Sequence, residues 1–563
     1  MRWTLKPIPE EKTIKDLAQA LGVEYSIATL LVQRGITNFD DAKAFFRPKL
    51  TDLHDPFLMQ DMQQAVDRIQ KALTHNERIL VYGDYDVDGT TSVAMMATYL
   101  ETKSNHVATY IPDRFEEGYG LSYKGIDYAT DNDFTLIIAL DCGVKAVEKI
   151  EYANNKGVDF IICDHHRPGK TLPDAVAVLD PKRHDCQYPF KELCGCGVGF
   201  KLIQALGQNY GESIENLKAY LDLVATAIGA DIVPIIGENR ILTYFGLQVI
   251  NTSPRPGFQA LIQNAKKKTL TITDVVFMIA PRINAAGRMK HGNYAVSLLK
   301  ENDRQQAQIA AKDIEQFNSI RKTLDQDTTK QALKQIESNN ETHAATTVVY
   351  DDSWNKGVIG IVASRLIETY YRPTLVFTKS GDYLTGSARS VHGFDVYKAL
   401  LNCNEHIEQF GGHKYAAGLS IKASNYEAFK KAFENEIHQS MPKHLKTPEI
   451  NIDMALKLSD ITPKFYRILK QFAPFGPQNM TPVFITEDVR ETGYGKCVGQ
   501  ENNHLKISIK QPHETPIDCI GFGLGDKLEL IQNGTRFKTV YSIEENEWNG
   551  RVKLQLKLKD IKL

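Results

Sequence analysis

Seven residues in three short segments carry the clearest chemistry of the sequence. Asp84, Asp86 and Asp88 alternate within GDYDVDG, Asp141 stands in LDCGV, and Asp164, His165 and His166 are consecutive in CDHH. Each segment directly follows an apolar run: RILVY, TLIIAL and DFIIC. Short apolar runs without alternation mark strands covered on both faces, which means a parallel sheet with helices on each side. The carboxyl ends of such strands share one edge, where ligands bind, so the three segments should converge. Five carboxylates and two imidazoles then occupy one crevice. Like charges a few ångströms apart raise one another's pKa until cations compensate them, and divalent metals are the natural compensation.

Alternation in Asp84-x-Asp86-x-Asp88 aims these side chains the same way if the segment is extended. Oxygen and imidazole ligands without thiolate suit manganese or magnesium better than structural zinc. A calcium loop can begin with DxDxDG, but this one follows an apolar strand, and Met95 stands where the bidentate glutamate belongs. The eight cysteines are scattered and form no secreted framework. His184, Cys186, Cys194 and Cys196 come nearest to a zinc cluster, yet they lack a second CxxC-type pair and are expected to form a Gly-rich turn with small buried thiols. Cys142 and Cys163 are expected to pack at strand ends. Asp231 ends the apolar stretch LDLVATAIGADIVP, where Pro234 stops any helix; taken alone it is a helix-end residue.

At 563 residues the chain should hold three or four folded units. Hydrophobic residues make up 42% and charged residues 24%, an ordinary globular composition, and a net charge of −2 announces no polyanion or membrane partner in bulk. The first residues lack the apolar stretch of a signal peptide, and no run of about 18 apolar residues could span a bilayer, so a cytoplasmic protein is expected. The pattern suggests a helical cap over 1–75, an α/β domain over 76–235, a helical region over 236–340, a second α/β domain over 341–448 and a β-barrel over 449–563. Within the third segment, Ala310, Ile314, Phe317 and Leu324 form one helical stripe in a polar stretch from about 300 to 338. It predicts a long connecting helix, either packed on one lobe or free-standing. In the last strand, Val552, Leu554, Leu556 and Leu558 should face one way, and Arg551, Lys553 and Lys557 the other.

Taken in order, GDYDVDG, LDCGV, CDHH, GADIVP, RINAAGR and GGHKYAAG resemble the motifs of the DHH phosphoesterase superfamily. With a DHHA1-like domain and a C-terminal barrel resembling an OB-fold, the chain from about residue 76 is similar to the single-strand-specific exonucleases of that superfamily. The resemblance implies a two-metal phosphodiesterase, usually manganese-dependent with magnesium as the alternative, that degrades single-stranded DNA from its 5′ end to mononucleotides in repair and recombination. It makes Asp84, Asp86, Asp88, Asp141, His165 and Asp231 the metal ligands, with Asp141 bridging and Asp84 either direct or one step removed. His166 would face the scissile phosphate and Asp164 would orient its neighbours. Arg114, Ser387 and Arg389 would recognise the 5′-terminal phosphate, while Arg282 and His413 would hold the phosphate being cleaved. A single-strand-binding protein and a RecQ-type helicase are partners that the resemblance suggests.

The substrate side also has a reading from the residues. Ser387-Ala388-Arg389 follows a predicted strand, Gly411-Gly412-His413 is expected as a turn whose bare amides can approach a phosphate, and Arg282, Asn284 and Arg288 are expected on a loop. Tyr119, Tyr123, Phe394 and the segment 472–475 could stack bases, with core packing the default for each. Duplex would be excluded if the second α/β domain closes the crevice to one strand. Two other functions fit less of the chain. A phosphodiesterase for very short or cyclic dinucleotides generally ends after the DHHA1-like domain. A non-catalytic DNA-binding scaffold would not need the intact acids and histidines.

Overall fold

The computed structural model describes residues 1–563 except 264, 266 and 549, with the backbone alone at 548. Two compact units form, one from residues 3–112, 117–280 and 450–563, the other from 1–2, 113–116 and 281–449.

The first unit holds the expected parallel sheet: β1 (Arg78–Gly83), followed by helix α1 (Val87–Glu101), then β2 (Val107–Tyr110), β3 (Phe134–Leu140), β4 (Asp159–Cys163) and β5 (Ala177–Leu179). All neighbours are parallel, in the order β2-β1-β3-β4-β5. The edge strand β2 was not foreseen, because VATY is too short to show a period and is only half-buried. Leu80, Ile137, Phe160 and Ile162 pack one face, each worth roughly 1.5–3 kcal/mol. On the other side run α1 and α2 (Gly195–Asn209), close enough that a side-chain carbon on Gly199 would meet Leu140 and Met95. α3 (Leu221–Ala230) is buried over nearly its whole length, and α4 (Gly237–Thr252) follows it.

The second unit begins with a correction. Residues Ala280–Met289 form a helix, α5, where a loop was expected. Pro281 directly follows a π-helical turn over Val275–Ile279 that continues into α5, and Ile283, Ala285 and Ala286 are buried. The long helix α6 (Arg304–Ser338) is present and is not free-standing: Ala307, Ala311, Ile314, Phe317, Ala332 and Ile336 are buried, with Ala310 and Leu324 at the margin of the stripe. Asp325 on it pairs with Arg321 at 2.9 Å and with Arg365 at 2.7 Å. Arg365 belongs to α7 (Ile359–Tyr370), which follows β6 (Thr347–Tyr350) and precedes β7 (Thr374–Ser380), β8 (Tyr383–Arg389), β9 (Gln409–His413) and β10 (Ala416–Lys422). The sheet order is β9-β10-β8-β7-β6, parallel only between β6 and β7.

The C-terminal strands β11 (Phe484–Glu491), β12 (His504–Lys510), β13 (Ile517–Gly521), β14 (Phe537–Trp548) and β15 (Arg551–Lys562) close into a ring, because β11 pairs with both β14 and β12. Leu556 and Leu558 point inward while Lys553 and Lys557 are exposed, as the two-residue period requires. Val552 departs from that pattern at 56% exposure, since it lies on the ribbon formed with β14 where it sits opposite Glu547. The barrel shares its core with the N-terminal helices: Ile14, Leu17, Ile27 and Leu30 pack with Phe465, Phe484, Leu505 and Tyr541.

One cation locks these parts together. Arg240 of α4, 4% exposed, donates to the carbonyls of Phe45 (3.1 Å), Phe472 (2.8 Å) and Ala473 (3.0 Å) and lies 3.7 Å from the centre of the Phe45 ring. Arg240→Met leaves those buried carbonyls unsatisfied, a cost of about 3 kcal/mol. The melting temperature of the variant should drop by several degrees in calorimetry while its secondary structure at 20 °C is retained.

Candidate metal centre

The three acid-bearing motifs begin where strands of the parallel sheet end, while Asp231 closes helix α3. Asp84 follows β1, Asp141 follows β3, and Asp164 and His165 follow β4. The segment 84–88 is not extended, however, as the alternation had suggested. Helix α1 starts so early that Asp86 is its N-cap, accepting from the Gly89 amide at 3.0 Å, while Asp88 lies in the first turn. Asp88 is held from the other side by the start of α2, whose Gly195 and Cys196 amides each donate to it at 2.7 Å. That approach needs glycine: a side-chain carbon at 195 would lie 2.5 Å from Asp141 Cβ.

His165 is the centre. Its Nε2 lies 3.1 Å from Asp141 Oδ1, 3.6 Å from Asp231 Oδ2 and 3.8 Å from Asp88 Oδ2. Both Nε2 and Asp141 Oδ1 are buried, yet neither is satisfied by a hydrogen bond. Buried polar atoms crowding together unsatisfied, His165 Nδ1 among them, is the arrangement expected of residues that could face a shared cation. Among the described residues, two groups could each hold a metal ion: Asp141, His165 and His166, and Asp88, His165 and Asp231. Asp231, unremarkable in sequence, belongs to the second. Asp84 is buried with its Oδ1 3.4 Å from the Gly120 amide and enters neither group, and Asp86 is felt electrostatically by Asp88, Asp141 and Asp231. No thiol enters either group: Cys194 caps α2 through the Gly197 amide, Cys196 lies against Met95, and Cys142 and Cys163 are buried.

His166 is held differently. Asp164 Oδ1 binds its Nδ1 at 2.7 Å and accepts from the amides of 165 and 166, while Oδ2 accepts from the Val144 amide. This leaves Nε2 directed outward on a side chain that is 42% exposed, with Tyr119 Oη at 3.2 Å. Two backbones are strained here: Asp141 has φ +60° and Ile232, beside Asp231, has φ +58°, a rare conformation for a β-branched residue. Sequence reasoning missed Asp180. It follows β5, is fully buried and has an unpartnered Oδ2; burial and Asp164 push its carboxyl up to about 7. The rule that located the other acids applies equally to it.

The second unit gathers the predicted anion-binding residues in part. Arg389 Nη1 donates to Ser387 Oγ at 3.0 Å, and both side chains abut the backbone of Gly360 at the N-terminus of α7. Burial and the neighbouring charge of Arg114 hold the Arg389 guanidinium below its usual range. Gly411, Gly412 and His413 lie on β9 and not in a turn, because they pair with β10 up to the bend at Lys414-Tyr415. His413 is opposite Ala416, which is opposite Arg389, so the two share a row roughly 10 Å apart. Arg282, Asn284 and Arg288 share α5; Arg282 pairs with Glu315 at 2.6 Å, and Arg288 donates to the Gly357 carbonyl at 2.8 Å. Of the candidate stacking residues, Phe394 and Phe472 are core, whereas Tyr119 is 56% and Tyr123 45% exposed.

Burial first, and then their own crowding, pushes Asp88 up to about 7, Asp231 up to about 8 and Asp141 well above the carboxylate range. Burial and the charge of His166 push His165 down to about 3. Burial also opposes a charge on His166, but Asp164 outweighs it and raises that imidazole to about 8. Between about pH 6.5 and 8 the folded metal-free protein therefore holds more protons than the unfolded chain at Asp88, Asp141, Asp231 and His166, and its stability falls as pH rises. Below that window His165 contributes with the opposite sign. Calorimetry after chelation should show a melting temperature that declines from pH 6.5 to 8, with added manganese raising it more at pH 8 than at 6.5.

Comparison with known proteins agrees with this architecture. A DHH-family N-terminal domain matches residues 78–228, a DHHA1 domain 341–439 and a RecJ OB domain 452–560. The single-stranded-DNA-specific exonuclease RecJ of Bacillus subtilis is 37% identical over all of this chain and 70% of its own length. That of Escherichia coli is 32% identical over 89% of this chain and 90% of its own. The crystal structure of RecJ in complex with Mn2+ from Thermus thermophilus superposes with a TM-score of 0.86 at 27% identity, covering all of this chain and 79% of that one; the same protein is also known in complex with Mg2+. The conjunction of three domains, full-length similarity and a shared fold settles the family: the chain belongs to the RecJ single-stranded-DNA-specific exonucleases.

Proposed function

We propose that the protein is a metal-dependent exonuclease that hydrolyses single-stranded DNA from the 5′ end to mononucleotides. The observation that carries this is the buried cluster in which His165 Nε2 and Asp141 Oδ1 approach to 3.1 Å without a hydrogen bond, in a chain of the RecJ family. Asp88, Asp141, His165 and Asp231 would hold a pair of divalent cations, with Asp141 between them and Asp84 and Asp86 completing the anionic wall. Manganese suits this oxygen and imidazole set, and magnesium is the alternative. When bound, the cations supply the positive charge that polarises a phosphodiester and acidifies water.

The chain supplies the rest. Asp164 fixes the tautomer and direction of His166, whose outward Nε2 is suited to donate to an oxygen of the phosphate being cleaved. Arg282, Asn284 and Arg288, with Gly411, Gly412 and His413, would bind the same stretch of backbone. Arg114, Ser387 and Arg389 would bind the 5′-terminal phosphate: Ser387 and Arg389 are already hydrogen-bonded to each other, and the charge of Arg114 is felt at Arg389, where a dianion would be favoured. On the barrel, Lys506 and Lys557 flank Ile520 in one row, and Lys557 Nζ lies 5.4 Å from the ring of the exposed Phe522, a surface on which a strand can lie regardless of sequence. Work in the cytoplasm beside a single-strand-binding protein and a RecQ-type helicase, in repair and recombination, is the setting that fits. Among the described residues no helix is long and apolar enough to cross a membrane.

With manganese, a 5′-phosphorylated single strand labelled at its 3′ end should shorten progressively from the 5′ side, while duplex and cyclic dinucleotide persist. EDTA should stop the reaction, and Asp141→Ala or His165→Ala should lower kcat by about a thousandfold or more. Binding without hydrolysis in every divalent metal would sink the proposal. A double variant, Lys506→Ala with Lys557→Ala, should raise KM for long strands and leave a trinucleotide unaffected. The dependence of log affinity on log salt should become shallower by about 1.4.

A further inference from the structure

Ile232 is an unfavourable residue for its place. It follows Asp231, the cap of α3, and has φ +58°. Glycine or asparagine usually occupies that position after a helix, because the left-handed backbone crowds a side chain, and a β-branched one most of all. The core gains little from the strain, since the side chain is 69% exposed. The residues that follow are fixed: Val233 and Ile235 are buried, Ile235 lies against Gly476, and its amide donates to the Pro477 carbonyl at 2.9 Å. On the other side, Asp231 presents Oδ2 3.6 Å from His165 Nε2. An apolar side chain is therefore held out to solvent one residue from the metal centre, on backbone that is tied down before and after it.

The element packed on α3 exposes a second large apolar side chain. Phe277, 75% exposed, belongs to the π-helical turn over Val275–Ile279, and a side-chain carbon on Gly229 of α3 would lie 3.1 Å from Val276 Cγ2. Both residues lie in the same compact unit as the acids. The cations that those acids gather attract the phosphates of a strand, and a phosphate bound there brings its bases one sugar away.

We propose that Ile232 is a nucleobase contact of the exonuclease site, on which a base flanking the phosphodiester at the metal centre packs. This rests on the exonuclease assignment and deepens it by naming what holds the nucleotide other than its charge. Every base offers an apolar face, so the contact tolerates any sequence, and isoleucine is among the side chains that part stacked bases in protein complexes with nucleic acid. Seating the base removes apolar area of both partners from water, which the exposed side chain alone cannot do. The left-handed backbone is what separates Ile232 from its buried neighbours and gives it to the substrate instead of the core.

The test measures the first cleavage of a 5′-phosphorylated single strand, with manganese, by the full-length protein. An ordinary strand is compared with one whose first two nucleotides lack their bases. The wild type should show a kcat/KM at least about fivefold higher on the ordinary strand. Ile232→Gly and Ile232→Asn both accept the left-handed backbone while removing the apolar contact, so in each the ratio should fall below about twofold. Ile232→Leu keeps the apolar area and should keep the ratio. A wild-type ratio near one, an undiminished ratio in both the glycine and asparagine variants, or a leucine variant that loses the ratio as fully as glycine overturns the base contact and leaves the exonuclease assignment standing. A wild-type protein that cleaves neither strand removes the assignment and this proposal together.

Discussion

Negative charge compressed around one buried imidazole is the constraint on which the rest of the molecule depends. The carboxylates of Asp88, Asp141 and Asp231 approach His165 so closely that burial and mutual repulsion raise all three. No fold keeps such a group of acids together for stability. Everything around it is arranged to hold the acids in place regardless: the start of α2 donates two amides to Asp88, Gly195 lets that helix touch Asp141, and Asp141 and Ile232 keep left-handed backbones that cost of order 1–3 kcal/mol each. The strain lies at Asp141 and beside Asp231, two of the acids that approach His165.

The two histidines of CDHH show how adjacent identical residues acquire opposite characters. His165 faces the acids, is buried and stays neutral. His166 turns outward, is bound by Asp164 and carries charge near neutral pH. One carboxylate makes the difference, because Asp164 spends both oxygens on backbone amides and on the ring of His166 and so is withdrawn from the cup. A neutral ligand and a cationic donor side by side suit a site that must hold metal and also grip a phosphate.

Much of this is legible in the sequence, because the physics that places it is local. Apolar runs ending in acids locate the sheet edge, and the helix stripe in 300–338 locates α6. What was misread needed partners far along the chain. Alternation in GDYDVDG suggests an extended segment, yet Asp86-Val87-Asp88-Gly89 is also a helix start, and only the arrival of α2 at Asp88 decides between them. The PRINAAGR segment reads as a loop through its proline and glycine, but its buried alanines make it α5. Asp180 went unnoticed because no motif surrounds it, although it stands at a strand end like the others.

The shared core of the N-terminal helices and the barrel bears on how the protein is made. Ile14, Leu17, Ile27 and Leu30 find their hydrophobic partners at Phe465, Phe484 and Leu505, more than four hundred positions later. During synthesis the earliest helices emerge with apolar faces that nothing yet translated can cover, and they must wait, at about 5–20 residues per second, for the last fifth of the polypeptide. An interval of about tens of seconds therefore separates the synthesis of these helices from that of their packing partners.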